Sequence, residues 1–255
     1  MEFCGKGFSI QVNIPDQDAL EFALKDRFQA GKGFALATLN VDHLVKLAQD
    51  RDFAQAYESH DLICADGNPI VWMAKLGGDN LSLVPGSDQV IPMVQWATDC
   101  NVSIALVGST PDALEKSAAH LTQAVSGVKI AKTISPPFGF DPKGRLASEI
   151  LDDVKASGAG LCLLALGAPK QELFAAFGHQ RYPEIGFASI GAGLDFLAGH
   201  QARAPKWVRQ IAMEWLWRML SNPKRLLKRY AECAIVLPGH TGSAIRQRIN
   251  SKPNP

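Results

Sequence analysis

The side chains with the most chemistry in them stand just after short apolar runs. Leu62–Ala65 (LICA) is followed at once by Asp66-Gly67, where a carboxylate can face a crevice and serve as a general base. The same Asp-Gly pair is also ordinary turn chemistry, in which the aspartate caps the next helix. Thr38-Leu39-Asn40 closes the run FALATL and sets two hydrogen-bonding side chains on one side of the backbone. They suit the orientation of a sugar or pyrophosphate, and equally the capping of a helix. Gly167-Ala168-Pro169-Lys170-Gln171-Glu172 follows the run GLCLLAL. Gly167 permits close approach of a ligand, a helix that starts there offers free N–H groups to an anion, and Lys170 and Gln171 add contacts. A proline at a helix start is also a purely structural device. Gly108 closes VSIALV, and Gly191-Ala192-Gly193 closes another apolar run, with Asp195 shortly beyond.

Several chemistries are set aside. Gly191-Ala192-Gly193 begins a dinucleotide fingerprint, but Phe196 stands where the last glycine belongs, and the match lies far from a first βα turn. A dehydrogenase is therefore rejected, and without a Walker A stretch so is an NTPase. The six histidines are dispersed, with no second ligand at helical spacing. Asp16-Gln17-Asp18 and Asp50-Arg51-Asp52 are formally D-x-D, yet both lie at helix edges, where aspartate is an ordinary cap. No essential metal and no cofactor are expected. The five cysteines form no CxxC pair; Cys64 and Cys162 sit in apolar runs as small hydrophobes, and a reducing cytosol is the natural compartment.

The elements that must position these residues alternate. Strands are expected at Phe8–Asn13, Phe34–Leu39, Leu62–Ala65, Val102–Val107, Val128–Ile134, Gly160–Leu166 and Ile185–Ile190. Helices are expected over Asp16–Ala30, Val41–Gln49, from Asn68-Pro69 onward with proline at the first helical position, through Trp96, from Thr110 to about Val125, over Arg145–Ala156, and after Gly167. Nearly all-apolar strands alternating with helices indicate an α/β fold, with a Rossmann-like, mostly parallel sheet covered by helices on both faces. The polar and glycine residues at 38–40, 66–69, 108–110, 167–171 and 191–195 then fall beyond the carboxyl ends of strands, where such sheets bind ligands.

The chain changes character near Gly199. From there to the end it carries eleven lysines and arginines against two acids, Glu214 and Glu232, while the first 198 residues hold 15 basic and 23 acidic side chains. Three of the five tryptophans (Trp207, Trp215, Trp217) also lie there. A helix over Gln201–Leu220 would align Val208, Ile211, Trp215 and Met219. Asn222-Pro223 then restarts a helix whose Lys224, Arg225, Lys228 and Arg229 flank Leu226, Leu227 and Tyr230. Residues 1–198 therefore read as an α/β catalytic domain, and 199–255 as a basic, aromatic-rich helical appendage suited to an anionic, greasy surface such as a membrane face. The plainer reading is a helical pair docked on the domain. Trp and Leu between the charges, without a nucleic-acid motif, argue against nucleic acid as the partner. No apolar stretch is long enough for a transmembrane helix, and no secretory signal stands at the start.

Nine blocks in order carry a resemblance: TLN (38–40), ADGNPIVW (65–72), PGSD (85–88), LVGS (106–109), LGAPKQE (166–172), GAGLDFLAG (191–199), RAPKW (203–207), EWLWR (214–218) and NPKRLLKRY (222–230). Together they resemble the WecG/TagA/CpsF family of glycosyltransferases. The resemblance implies a bacterial, metal-independent, inverting enzyme on the inner face of the cytoplasmic membrane. Its donor would be a UDP-sugar of the N-acetylmannosamine type, its uronate, or a hexose. Its acceptor would be an undecaprenyl-diphosphate-linked sugar for common antigen, teichoic acid or other surface polysaccharide. Asp66 matches the family's catalytic base, Thr38, Asn40 and Gln171 its polar site positions, and Arg218 and Arg225 its tail arginines that reach a diphosphate. Gly67, Asn68, Ser87, Asp88, Gly108, Gly167, Lys170, Gly191 and Asp195 complete the expected substrate-binding set. The competing reading is a non-catalytic nucleotide-sugar-binding protein at the membrane; whether the chain forms a homo-oligomer is left open.

Overall fold

The computed structural model describes residues 1–205, 207–208, 211–221 and 223–250, the side chain of Arg225 excepted. A hairpin comes first: β1 (Glu2–Gly5) pairs antiparallel with β2 (Phe8–Gln11). The central sheet holds β3 (Phe34–Leu39), β4 (Leu62–Ala65), β5 (Ile104–Gly108), β6 (Ile130–Ile134), β7 (Leu161–Ala165) and β8 (Gly186–Ser189) in the order β4-β3-β8-β7-β5-β6. Every pairing in it is parallel. Parallel strands joined by helices are covered on both faces, which is why all six residues of β3 are buried.

The helices divide between the two faces. On one, α1 (Gln17–Gln29), α5 (Val90–Asp99), α6 (Pro111–Ala124) and the short α9 (Gly193–Leu197) cover Leu36, Cys64, Leu106, Leu163 and Ala188. On the other, α2 (Val41–Gln49), α3 (Arg51–Glu58) and α4 (Asn68–Gly77) pack on Ala37, Leu39, Ile63 and Ala65 together with the hairpin. Beside them, α7 (Arg145–Ala156) and α8 (Lys170–Arg181) pack on Ala105, Cys162, Leu164 and Phe187. The chain therefore leaves β3 toward one face and the adjacent β8 toward the other, which opens a crevice at their carboxyl ends.

Local chemistry sets the helix starts. Asp16, Asn40, Asp50 and Thr110 each accept a backbone N–H from the first turn of α1, α2, α3 and α6, so both D-x-D stretches begin with helix caps. Two expectations need correction. The helix after β4 is capped by Gly67 at φ +107 without a side-chain bond, so Asn68 is its first residue and Pro69 its second. Finally, no continuous helix spans 201–220: Ala212 takes a left-handed φ of +61, and α10 (Glu214–Ser221) begins only after it. Val208 is consequently buried while Ile211 is exposed, and neither shares a stripe with Trp215 and Met219.

α11 (Pro223–Asn250) is longer than the sequence blocks indicated. It lies along α2 and α4 and reaches β1. Ala244 is fully buried there, and Gln247 donates to the Glu2 carbonyl at 2.7 Å.

Candidate active site

Asp66 stands at the centre of the crevice mouth. Its backbone N–H donates to the Leu39 carbonyl at 2.7 Å, extending the β3–β4 ladder by one residue and setting its side chain beside Thr38 and Asn40. The Thr38 hydroxyl donates to Asp66 Oδ2 at 3.4 Å, and the neighbouring Asn40 amide favours the ionised carboxylate. Asp66 does not cap α4, which has no side-chain cap at all. The turn-cap reading of Asp66 thus fails on geometry. Asn40 Oδ1 accepts the His43 N–H at 3.1 Å as the cap of α2, while its Nδ2 lies 3.5 Å from His43 Nε2. Burial pushes the Asp66 carboxyl up to about 6; Arg218 and the Asn40 amide hold it back, while Glu214 and Asp88 push it further. A carboxylate of that basicity suits proton abstraction near neutral pH.

The loop after Val84 forms one wall. The Val84 N–H donates to the Ala65 carbonyl at 2.8 Å, drawing the loop alongside β4. Gly86 lies against the Ser189 carbonyl and Thr38 Oγ1; a Cβ there would meet them at 3.0 and 3.2 Å, so a larger residue would lift the loop off the strand ends. Next to it, Arg203 bonds the Ser87 hydroxyl at 2.9 Å and pairs with the Asp88 carboxylate. The Arg203 guanidinium also lies 4.9 Å from the centroid of the Phe196 ring, and that of Arg218 lies 5.4 Å from it. One aromatic ring therefore supports two cations. Arg218 is bonded to Glu214 at 2.7 Å and acts electrostatically on Asp66.

The opposite wall is the start of α8. Gln171 Oε1 accepts the Gly191 N–H at 3.2 Å, and Gln171 Nε2 donates to Glu172 Oε1 at 2.8 Å. Glu172 is fully buried, and burial pushes its carboxyl up to about 7. His43 Nε2 lies 3.9 Å from Glu172 Oε1, and His43 Nδ1 lies 3.2 Å from the Tyr57 hydroxyl. Burial pushes His43 down to about 3, so the ring is neutral. Lys46 pairs with Asp42 at 2.6 Å and donates to the Ala168 carbonyl at 3.2 Å, which holds the turn before α8.

The remaining expected residues divide. Gly67 and Asn68 sit beside Asp66, and Lys170 is the first residue of α8 after the Gly167 turn. Gly108, at φ +117, packs so closely on β7 that a Cβ would collide with the Ala165 carbonyl. Its position is required by strand packing. Asp195 turns toward the Ser109 hydroxyl and Gln201 Nε2, forming a separate polar group at the end of β5. The Arg225 side chain lies outside the described residues. Among the described residues no three His, Cys, Asp or Glu side chains group as a metal site.

A model of the glycosyl transferase WecG/TagA/CpsF family matches residues 6–254. The chain belongs to this family. It is a glycosyltransferase, and the family implies a nucleotide-sugar donor and a sugar acceptor. The match runs through α10 and α11, so the basic tail is part of the glycosyltransferase sequence and not an unrelated extension. Arg203, Phe196, Glu214, His43 and Tyr57 also stand at or beneath the candidate site, although spacing gave no reason to select them. Arg203 meets Asp88 across more than a hundred residues, and no periodicity encodes such a meeting. Glu172, by contrast, had a visible signal as an acid in the first turn of a helix that starts beside the site.

Proposed function

We propose that this glycosyltransferase moves a sugar from a UDP-sugar to an undecaprenyl-diphosphate-linked sugar, with inversion and without a metal ion. Asp66 carries the reading: a carboxylate at a strand end, beside Thr38 and Asn40, made more basic by burial and faced by Arg218. In a single displacement the acceptor hydroxyl oxygen attacks the anomeric carbon while its proton passes to Asp66. The bond from that carbon to the UDP oxygen breaks, and UDP leaves with the electron pair. Attack opposite the leaving group inverts the centre. Arg218, Arg225 and the uncapped first turns of α4 and α8 stabilise the charge that develops on UDP.

Residues 199–255 act in this reading as a membrane-association appendage on the 1–198 body, which places the enzyme peripherally on the inner face of the cytoplasmic membrane. Exposed Trp207, Ile211, Leu220 and Leu227 beside the exposed Lys224 and Lys228 support it. Among the described residues no helix is long and apolar enough to cross a membrane. The deciding experiment screens UDP-sugars with a water-soluble polyprenyl-diphosphate sugar in the presence of EDTA. Product from the wild-type chain and none from Asp66→Asn supports the reading. Binding of UDP-sugar with no product on any acceptor supports the non-catalytic alternative. Activity lost in EDTA and restored by Mn²⁺ removes the metal-free mechanism.

A further inference from the structure

Glu172 poses a physical problem that the transfer reaction leaves unsolved. A carboxyl group with no accessible surface is costly to bury, and an apolar side chain of similar volume would fill the position more cheaply. One of its oxygens, Oε2, has no hydrogen-bond partner. The group touches no solvent and is walled off from the crevice, so it meets no substrate. What it does meet is Gln171 Nε2, at 2.8 Å.

We propose that Glu172 is a positioning residue that fixes the orientation of the Gln171 amide at the edge of the site, with His43 beside Glu172. A terminal amide can be turned over at little intrinsic cost, exchanging its acceptor and donor ends. Here the two ends are assigned. Gln171 Oε1 accepts from the Gly191 N–H, and Nε2 donates to Glu172 Oε1. Turning the amide over would set NH2 against N–H and oxygen against oxygen, losing both bonds. With one N–H committed to Glu172, the other remains to donate to a ligand. Lys46 and Asp42 from α2, Tyr57 from α3, His60, and Arg229 from α11 are charged and titratable neighbours of this packet besides His43. The same packet reaches the end of β3, because His43 Nε2 lies 3.5 Å from Asn40 Nδ2 and the His43 backbone N–H donates to Asn40 Oδ1.

The inference rests on the transfer reaction proposed above, and the test separates the two. Glu172→Gln keeps an oxygen to accept from Gln171, whereas Glu172→Met fills the volume without one. The donor kcat and KM, the thermal midpoint and the side-chain ¹H–¹⁵N signals of Gln171 are measured for each, with Gln171→Ala and the Gln171→Ala/Glu172→Met double variant. Glu172→Met is expected to fold with an unchanged or higher midpoint and to lose about tenfold in kcat/KM, mostly through KM. Its Gln171 amide protons should exchange faster. Glu172→Gln should stay within about twofold of wild type, the orienting bond being kept. The double variant should be no worse than Gln171→Ala, because Glu172 acts through that side chain. Glu172→Met with wild-type kinetics and unchanged Gln171 signals would overturn the proposal, as would losses that add in the double variant. If the wild-type chain transfers no sugar, the proposed reaction falls, while the Gln171 signals still decide whether Glu172 orients the amide.

Discussion

Replacing Asp66 by asparagine should abolish transfer and stabilise the fold at the same time. The rise of the Asp66 carboxyl from an ordinary 3.8 to about 6 means that ionising it costs more in the folded chain than in the unfolded one. A difference of that size corresponds to about 3 kcal/mol at neutral pH. Asp66 keeps part of its surface open to the crevice, and water there offsets some of the cost, so the gain from the neutral amide is about 1–3 kcal/mol. Because the folded state holds its proton more tightly, the wild-type chain loses stability as pH rises from about 4 toward 6, and this loss is complete above the folded value. The variant lacks that loss. Its melting temperature should exceed that of wild type by roughly 2–10 °C at pH 7.5, and the gap should narrow as pH falls through 6 toward 4. Transfer should drop by about 10²–10⁴-fold, the range for removing a general base. Calorimetry from pH 4.5 to 8 and a product assay at pH 7.5 test both halves. A variant less stable than wild type at pH 7.5, or a gap independent of pH, would refute the claim that Asp66 is ionised at a cost. Near-normal turnover would remove it as the base.

Other perturbations follow from the same geometry. Wild-type kcat/KM should rise with pH through about 6 as Asp66 ionises, and Arg218→Ala should move that limb to higher pH, because the guanidinium favours the carboxylate; an unmoved limb would place Arg218 outside the field of Asp66. Phe196→Ala removes the ring beneath Arg203 and Arg218 and should raise the donor KM by about 3–30-fold, the equivalent of one or two cation–π contacts; equal KM values for variant and wild type would count against the ring as their support. Gly86→Val should push the loop from Thr38 and the Ser189 carbonyl and lower activity at little cost in melting temperature, a result that a paired crystal structure and rate assay would check. Glutamates in place of Lys224 and Lys228 should weaken sedimentation with anionic vesicles by about 2 kcal/mol or more, while activity on a water-soluble acceptor persists; unchanged sedimentation would discount this face.

Where local signals were strong, the fold was legible. Asn40 marks the end of β3 and the start of α2, and both boundaries agree with the structure. Arg145–Ala156 agrees as well, its apolar spacing leaving one register. Two elements escaped for identifiable reasons. α3 follows α2 through the single residue Asp50, and a reading built on strand–helix alternation has no place for a second helix. β1 pairs only with its neighbour in a hairpin off the main sheet, so its residues lack the all-apolar stamp of a central strand. The break near Ala212 was hidden because apolar spacing continues across it, while a left-handed backbone at an alanine leaves no compositional trace. At the candidate site, the residues Thr38, Asn40, Asp66 and Gln171 stand at or just after strand ends and were visible there, whereas Gly108 and Asp195, expected on the same ground, serve strand packing and a separate polar group. What depends on distant segments meeting was not, as with Arg203 at Asp88.

The basic tail is fastened on both sides of α10. Before it, Arg203 grips Ser87 and Asp88; after it, Arg229 pairs with Asp42 at 3.1 Å and α11 is pinned at Ala244 and Gln247. A segment tied at two points samples a small volume, and its side chains have a local concentration set by the length of chain between the ties. Arg218 therefore meets Asp66 as an intramolecular neighbour, with most of the entropy of bringing it there already spent in folding. Cutting the backbone between the two fastenings would leave every residue present yet turn Arg218 into a diluted reagent. In the proposed mechanism the chemistry then depends on the continuity of the strap as much as on the arginine it carries.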